Sequence, residues 1–276
     1  MWRRQRGCGG STPKTRRTPL LAAGALLAAL ALAACSGGDG GGGEPSPAAA
    51  GSGGPERVTY QAADGLRIIA DFYAPQDGEP APAVLLLHQF NGSRAQWADL
   101  IPDLLVEGYA VLAPDLRSFG ESTTIVRDGE DADYRLQNLD DMLFDVAAAI
   151  IYLSTRTEVQ GDAIGVVGAS VGGNLAYVAS GAFPEVRATV SMSPNANPQG
   201  GALLGSDISG FSPRAVLFMS DETEAADAET LATTVAEPVD VIVYEGEAAH
   251  GVQLLVNPRA KPDIRGWLAA NLGLAE

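Results

Sequence analysis

One serine of this chain stands in a context that favours nucleophilic chemistry. Ser170 lies in the glycine-rich segment 168–173, which joins the apolar stretch "DAIGVVG" to the helix-forming stretch "GGNLAYVASG". A serine on such a strand-to-helix turn has a strained backbone that exposes its hydroxyl, and glycines two positions away leave room for it. The following helix points its N-terminus at the serine, so we expect the Val171 N–H to stabilise an oxyanion. The pattern alone is weak in a chain with 33 glycines, so its context must decide.

A serine hydroxyl becomes a good nucleophile only when a base takes its proton, and this chain contains two histidines. His250 follows the last apolar run, in the loop "EGEAAHGVQLL". This position and the flanking Gly251 favour a catalytic base over a surface histidine. His88 ends the earlier apolar run "AVLLLHQF", and we interpret it as a structural residue that positions the loop after its strand.

The loop after His88 has a predicted role of its own. A site of this kind normally takes its second oxyanion donor from the segment after this strand, which makes the Phe90 backbone N–H the candidate. We expect the Phe90 side chain to line the pocket for the acyl group.

Alternating strands and helices have to position these residues. The stretches "RVTYQA" and "LRIIADFYAP" predict a leading hairpin. Six further apolar runs predict strands that are covered on both faces: "PAVLLLHQF", "GYAVLAPDL", "DAIGVVGAS", "RATVSMSP", "RAVLFMS" and "VDVIVYEG". Helical candidates are interspersed among them or follow them: "SRAQWADLIPDLLVEG", "LDDMLFDVAAAIIYLST", "GGNLAYVASGAF", "AADAETLATTVA" and "KPDIRGWLAANLG". The alternation predicts an α/β fold, a mostly parallel sheet of about eight strands with helices on both faces. Only residues 121–137 and 194–213 have room for short insertions, so we expect an open site without a large lid.

Four motifs across residues 57–276 resemble those of the α/β-hydrolase superfamily, and most closely those of its small lidless members related to dienelactone hydrolases. They are the oxyanion segment "LLLHQFNGSRAQW", the loop "GYAVLAPDLRSFGES", the turn "GASVGG" and the terminal "HGVQLL". The resemblance implies a serine, acid, histidine order along the chain, which assigns the base to His250. Gln89 and Ser118 stand where the family usually has glycine, and dienelactone hydrolases proper have cysteine where this chain has Ser170. We interpret Asp115 and Arg117 as residues that shape their loop.

The resemblance also implies a triad acid shortly after the strand "AVLFMS", where a carboxylate would orient and support the imidazolium. Ungapped counting reaches Thr223, and a loop shorter by one residue brings Glu222 into register. We therefore expect Glu222 to be the acid, with Glu224 and Asp221 as alternatives. A solvated acidic loop without a triad acid stays open as well.

The N-terminal 34 residues have the pattern of an export signal. Six basic residues and no acidic ones precede an apolar run of about 15 residues, which is short for a membrane span of about 20. The run ends in Leu32-Ala33-Ala34-Cys35, which resembles the lipobox of bacterial lipoproteins. Residues 1–34 are then a signal peptide, Cys35 is the lipidated first residue, residues 35–56 are a Gly/Pro/Ser-rich tether and residues 57–276 are the hydrolase domain. The Sec and twin-arginine export routes both stay open.

Composition excludes several classes of function. Cys8 lies in the signal segment and Cys35 is the predicted lipidation site, so the mature domain has no cysteine for a disulfide, a nucleophile or a metal site. Residues 35–276 contain 12 basic and 34 acidic residues, a formal charge of −22. Such a charge repels nucleic acid and anionic lipid headgroups. We therefore expect membrane attachment only through the lipid.

These observations predict an exported serine hydrolase, lipid-anchored at the outer face of the cytoplasmic membrane or in the cell envelope. It cleaves small carboxylic esters through an acyl-enzyme on Ser170 and needs no cofactor or metal. The alternative is a binding lipoprotein that keeps the hydrolase fold without turnover, for which Gln89, Ser118 and the open choice of acid are the reasons. Hydrolysis of peptides or amides is disfavoured, because enzymes of that branch usually carry an added propeller or lid domain.

Overall fold

The computed structural model describes residues 54–196, 212–246 and 249–273. The predicted signal peptide, Cys35, most of the predicted tether and most of segment 194–213 lie outside these residues. No helix in the described ranges is both long and apolar enough to cross a membrane.

The described residues form one sheet of ten strands, in which six adjacent strands, counted inward from one edge, are parallel. The strands are β1 (Glu56–Gln61), β2 (Leu66–Tyr73), β3 (Ala81–Leu87), β4 (Ala110–Pro114), β5 (Thr124–Arg127), β6 (Glu130–Asp133), β7 (Val159–Ala169), β8 (Val186–Met192), β9 (Arg214–Asp221) and β10 (Ala236–Tyr244). The order across the sheet is β10-β9-β8-β7-β3-β4-β2-β5-β6, with β1 paired to β2. The mostly parallel α/β sheet and the leading β1–β2 hairpin are confirmed. The strands beyond the expected eight are the short antiparallel hairpin β5–β6, within the segment where an insertion was expected.

Within the part of the chain that the structure describes, five α-helices cover the two faces of the sheet: α1 (Ile101–Val106), α2 (Met142–Thr155), α3 (Val171–Ala182), α4 (Ala225–Ala232) and α5 (Ala260–Leu272). Helices α1 and α5 pack on one face, and α2, α3 and α4 pack on the other. The expected helix over residues 93–108 is wrong in extent, because only Arg94–Trp97, as a 3-10 turn, and α1 are helical. Pro102 explains the late start, since proline lacks an N–H and is tolerated in the first helical turn.

The centre of the sheet explains why these apolar runs are strands. Every residue of β3 is buried, and so are the last seven residues of β7. A strand covered by helices on both faces has no solvent-facing side, so a continuous apolar run satisfies both faces. Because β3, β7, β8 and β9 are parallel, their carboxyl ends lie at one edge of the sheet, where ligands of open α/β sheets bind.

A buried ion pair shapes the loop after β4. The Arg117 side chain is fully buried, and its Nη2 lies 2.7 Å from Asp145 Oδ1 in α2, while its Nη1 lies 2.8 Å from Asp64 Oδ2. The Arg117 backbone N–H donates to Asp145 Oδ2 at 2.8 Å. Asp115 is buried as well and accepts from the backbone N–H groups of Arg94 and Glu121, both at 2.8 Å. These contacts agree with the loop-shaping role expected for Asp115 and Arg117.

We expect Asp145→Asn to lower the free energy of unfolding by about 3 kcal/mol, because it leaves a buried guanidinium with an incomplete set of charged partners. The matched control is Asp131→Asn, which removes a carboxylate from the exposed pair with Arg67 and should cost less than about 1 kcal/mol. Urea denaturation followed by circular dichroism measures both. An equal decrease in the free energy of unfolding in the two variants would contradict a larger contribution from the buried pair.

Candidate active site

Ser170 occupies the turn between β7 and α3, as its sequence context predicts. Its backbone has φ 53° and ψ −115°, a region that residues with a side chain rarely adopt. Two hydrogen bonds hold this conformation, since Ser170 N donates to Met192 O at 2.8 Å and Asn174 N donates to Ser170 O at 3.0 Å. Val171 is the first residue of α3, where N–H groups have no acceptor within the helix. The serine hydroxyl and a free N–H donor therefore occupy the same turn.

Close backbone packing explains the glycines around Ser170. A Cβ atom on Gly168 would overlap the carbonyl group of Gly172, and a Cβ atom on Gly172 would overlap the carbonyl group of Leu87 in β3. The turn can be this tight only if both positions lack a side chain.

Ser170 and His250 line one cavity of about 370 Å³ at the carboxyl edge of the sheet. The lining also includes Phe90, Glu224 and Asp227. Phe90 is 48% exposed, and its ring packs edge-on against Phe119 with 5.1 Å between the ring centroids. Phe90 thus lines the cavity as expected. The described residues include no group of three or more His, Cys, Asp or Glu side chains arranged to hold a metal ion.

His250 is paired with a carboxylate, and that carboxylate belongs to Glu224. His250 Nδ1 lies 2.6 Å from Glu224 Oε1. A carboxylate accepts from an Nδ1–H, which leaves Nε2 of a neutral ring as a proton acceptor. Glu222, the residue preferred from the sequence, is exposed and makes no described contact with His250. Glu224, one of the two alternatives named from the sequence, ends the turn before α4. Counting along the chain could not choose among these adjacent carboxylates.

Asp221, the third acidic candidate, does not bond to the His250 ring but joins the two loops that carry His250 and Glu224. Its Oδ1 accepts from Thr223 N, Thr223 Oγ1 and Glu224 N, at 2.8, 2.7 and 3.1 Å. Its Oδ2 accepts from Ala249 N, next to His250, at 2.8 Å. Asp221 is buried, and burial acts to raise its pKa, but the hydrogen bonds from Thr223, Ala249 and Glu224 outweigh it and hold the pKa below its usual value. The ionised carboxylate therefore stabilises the geometry of the His250–Glu224 pair.

Two further side chains, located after the carboxyl ends of β8 and β3, hold residues 249–252, the histidine loop. Ser193, after β8, accepts from Gly251 N with its Oγ at 2.8 Å. Gln89, after β3, accepts from Val252 N with its Oε1 at 3.1 Å. A Cβ on Gly251 would overlap that Gln89 oxygen, and Gly251 has φ 60°. Gln89, which stands where the family usually has glycine, thus ties the loop after β3 to the histidine loop.

His88 is fully buried and sits between two loops. Its Nδ1 lies 2.8 Å from Gln89 O, and its Nε2 accepts from Leu116 N at 2.9 Å. Burial lowers the pKa of His88, against smaller opposing effects from Gln89 and Asp115. A neutral ring that donates through Nδ1 and accepts through Nε2 satisfies both contacts. These contacts agree with the expected structural role.

Sequence reasoning missed Ser193, Asp227 and the contact made by Gln89. Gln89 and Ser193 come directly after β3 and β8, at the edge where the parallel strands end, and polar residues at that edge converge, which is the signal that would have selected these two. Asp227 lies in the first turn of α4, and this rule does not select it.

We expect Asp221→Asn to make the free energy of unfolding depend less on pH in the acidic range. A carboxyl group whose pKa is lower in the folded chain than in the unfolded chain stabilises the fold above the unfolded pKa, and this contribution disappears as pH falls through the folded pKa. The unfolding free energy of the wild type should therefore fall more steeply than that of the variant between about pH 6 and about pH 3. Urea titrations across this range measure it.

Glu222→Gln is the matched control for Asp221→Asn, because it removes one exposed carboxylate from the adjacent position. It should keep the acid dependence of the wild type. An Asp221→Asn profile parallel to that of the wild type would contradict the assigned role of this carboxylate.

Comparison with known proteins agrees with this fold. Residues 82–232 match the family model described as alpha/beta hydrolase fold. The esterase of Pyrococcus furiosus superposes with a TM-score of 0.63 at 18% identity, over 82% of this chain and 99% of that one. The dienelactone hydrolase of Anabaena variabilis gives a TM-score of 0.58 at 18% identity, over 80% of this chain and 100% of that one.

Among curated proteins, a probable 2-oxo-3-(5-oxofuran-2-ylidene)propanoate lactonase of Bradyrhizobium sp is 32% identical over 111 residues. The match covers 40% of this chain and 44% of that protein, so it spans less than half of either. The family model covers more than half of this chain, including Ser170 and Glu224. From its sheet, its strand-to-helix turn and this match, the chain belongs to the alpha/beta hydrolase fold family.

Proposed function

We propose that this protein is a serine hydrolase that cleaves small carboxylic esters. The observation that carries the proposal is one cavity lined by both Ser170, on its strained turn, and His250, whose Nδ1 lies 2.6 Å from Glu224. Nucleophile, base and orienting carboxylate are the three parts that acyl transfer to serine requires.

In the first half-reaction, His250 Nε2 takes the proton of the Ser170 hydroxyl while Oγ forms a bond to the ester carbonyl carbon. The carbonyl electron pair moves onto oxygen, and the N–H groups of Val171 and Phe90 donate to this oxyanion. Glu224 holds the ring in the tautomer with hydrogen on Nδ1 and stabilises the imidazolium. The oxyanion then collapses, the bond to the alkoxide breaks, and His250 gives its proton to the leaving alcohol.

In the second half-reaction, His250 takes a proton from water, and the resulting hydroxide attacks the acyl-enzyme. Collapse of this second tetrahedral species releases the carboxylic acid, and the proton returns to Ser170 Oγ. The ester and one water account for every atom and charge in the alcohol and the carboxylic acid released, so the scheme needs no cofactor or metal.

Cavity size and known relatives support small esters as the substrates. A volume of about 370 Å³ is near the lower end of the range for ligand pockets. The similar proteins include an esterase and a probable lactonase, and a lactone is a cyclic ester that the same two half-reactions open.

The competing proposal is a binding lipoprotein that has lost turnover, and Gln89 and Ser118 were its main sequence arguments. Ser118 has φ 68°, so its backbone adopts the conformation that glycine usually supplies. Gln89 uses its side chain to hold the histidine loop. Both replacements are compatible with an intact site, which favours the enzyme.

We propose further that the domain is exported and anchored through a lipid on Cys35, a proposal that rests on the sequence "LAAC" after the apolar run. Metabolic labelling with an alkynyl fatty acid in a bacterial host should mark the wild type, and Cys35→Ser should lose the label and leave the membrane fraction. Cys8→Ser is the matched control, because Cys8 lies in the segment to be removed, and it should keep the label. Labelling of Cys35→Ser would contradict the anchor.

We expect Ser170→Ala to abolish hydrolysis of p-nitrophenyl acetate, butyrate and octanoate, because no other group forms the acyl-enzyme. Glu224→Gln should lower kcat/KM by on the order of 10³, since the amide no longer supports the imidazolium. Glu222→Gln is its control and should stay within about twofold of the wild type, as expected of an exposed residue.

A fluorophosphonate probe separates the enzyme from the binding protein. The wild type should be labelled on Ser170, and Ser170→Ala should not react. A wild type that neither reacts with the probe nor turns over any ester would favour the binding lipoprotein. A larger loss in Glu222→Gln than in Glu224→Gln would move the acid to Glu222.

A further inference from the structure

We infer that this cavity favours esters whose acyl chain is neutral or positively charged over esters whose acyl chain also carries a free carboxylate. Asp227 is the residue that sets this preference. The inference rests on the proposed function, because it concerns the substrates of the same site. The charge of the substrate is the property that this inference adds to the proposed function.

The described lining of the cavity carries two carboxylates, Glu224 and Asp227, and includes no lysine or arginine. Glu224 is hydrogen-bonded to His250. The Asp227 side chain makes no hydrogen bond or ion pair with any residue that the structure describes. It lies in the first turn of α4, where the positive end of the helix dipole favours a negative charge. Asp227 therefore presents an unneutralised carboxylate to a bound substrate.

Among the described residues, the two basic side chains nearest in sequence to the cavity lining, Arg94 and Arg135, are not part of that lining. Residues 197–211 and 247–248 contain no lysine or arginine. Arg94 lies four positions after Phe90, but its side chain is already bonded to three carboxylates, those of Asp71, Asp115 and Glu121. Arg135, four positions before the lining residue Leu139, is exposed.

The net charge of residues 35–276 acts in the same direction. Residues 35–276 carry a formal charge of −22, so a dianionic or monoanionic ester meets a repulsive field before it reaches the cavity. Within the cavity, a second carboxylate a few ångströms from Asp227 meets a like charge that salt screens only in part. The same interaction favours a substrate with a quaternary ammonium group. The Bradyrhizobium lactonase, in contrast, is named for a propanoate, which is an anion.

Three esters with the same six-carbon acyl chain test the inference: p-nitrophenyl hexanoate, mono-p-nitrophenyl adipate and p-nitrophenyl 6-(trimethylammonio)hexanoate. The full-length protein is assayed at pH 7, and each kcat/KM is divided by the rate of alkaline hydrolysis of that ester. We expect the wild type to prefer the hexanoate over the adipate by at least about tenfold and to accept the cationic ester at least as well as the hexanoate.

Asp227→Asn should reduce by about tenfold the ratio of the normalised kcat/KM for the hexanoate to that for the adipate. It should also lower the normalised kcat/KM for the cationic ester relative to that for the hexanoate. Glu229→Gln is the matched control, because it removes the same charge from an exposed position of the same helix. It should leave the ratio unchanged, which separates the local effect of Asp227 from that of the net charge. Arg135→Gln serves as a second control and should leave the ratio unchanged as well.

The outcomes distinguish this inference from the proposed function. Hydrolysis of the hexanoate that depends on Ser170, together with equal turnover of the adipate, overturns the inference and leaves the esterase in place. A ratio that Asp227→Asn does not alter, or that Glu229→Gln alters as much, also overturns it. Hydrolysis of the hexanoate that persists in Ser170→Ala, or is absent from the wild type, overturns the proposed function and this inference with it.

Discussion

The backbone conformation of Ser170 is the constraint on which the rest of the site depends. A φ of 53° is costly for a residue with a side chain, and the cost is offset by bonds that fix the turn from both sides. The carbonyl of Met192 in β8 holds the Ser170 N–H, and the glycines at 168 and 172 let α3 approach β7 and β3 at backbone distance. Because β3, β7 and β8 are buried at the centre of the sheet, the turn cannot relax without disrupting the core.

The histidine loop is held in a different way, by side chains from strand ends. Asp221, Ser193 and Gln89 follow or end β9, β8 and β3, and each accepts from one backbone N–H of residues 249–252. His250 directly precedes a 3-10 helix that begins at Gly251, and the three external acceptors hold the backbone on both sides of the His250 ring. The parallel sheet makes this arrangement possible, since it brings the three strand ends to one edge.

Residues that depart from the family pattern are accommodated by these same contacts. Gln89 contributes an acceptor that glycine lacks, and Ser118 adopts the positive φ that glycine would supply. Glu224 lies two residues after Glu222, the position expected from the family pattern, and its side chain reaches His250 from the turn before α4. The charge around the cavity is the feature that these contacts do not neutralise, because Asp227 makes no described side-chain contact.

The sequence by itself determined the alternation of buried strands and helices and the position of Ser170 on a strand-to-helix turn. These features are local, because hydrophobic periodicity and glycine placement act within a few residues. The prediction of His250 over His88 as the base rests instead on the order of triad residues that the family resemblance implies. Only the tertiary structure decided that Glu224 and not Glu222 bonds to His250, that Asp221 and Gln89 hold the histidine loop, and that Asp227 lines the cavity. Each of these contacts joins segments far apart in the chain, and which of several adjacent carboxylates reaches a distant ring depends on how the turn from 221 to 224 is packed.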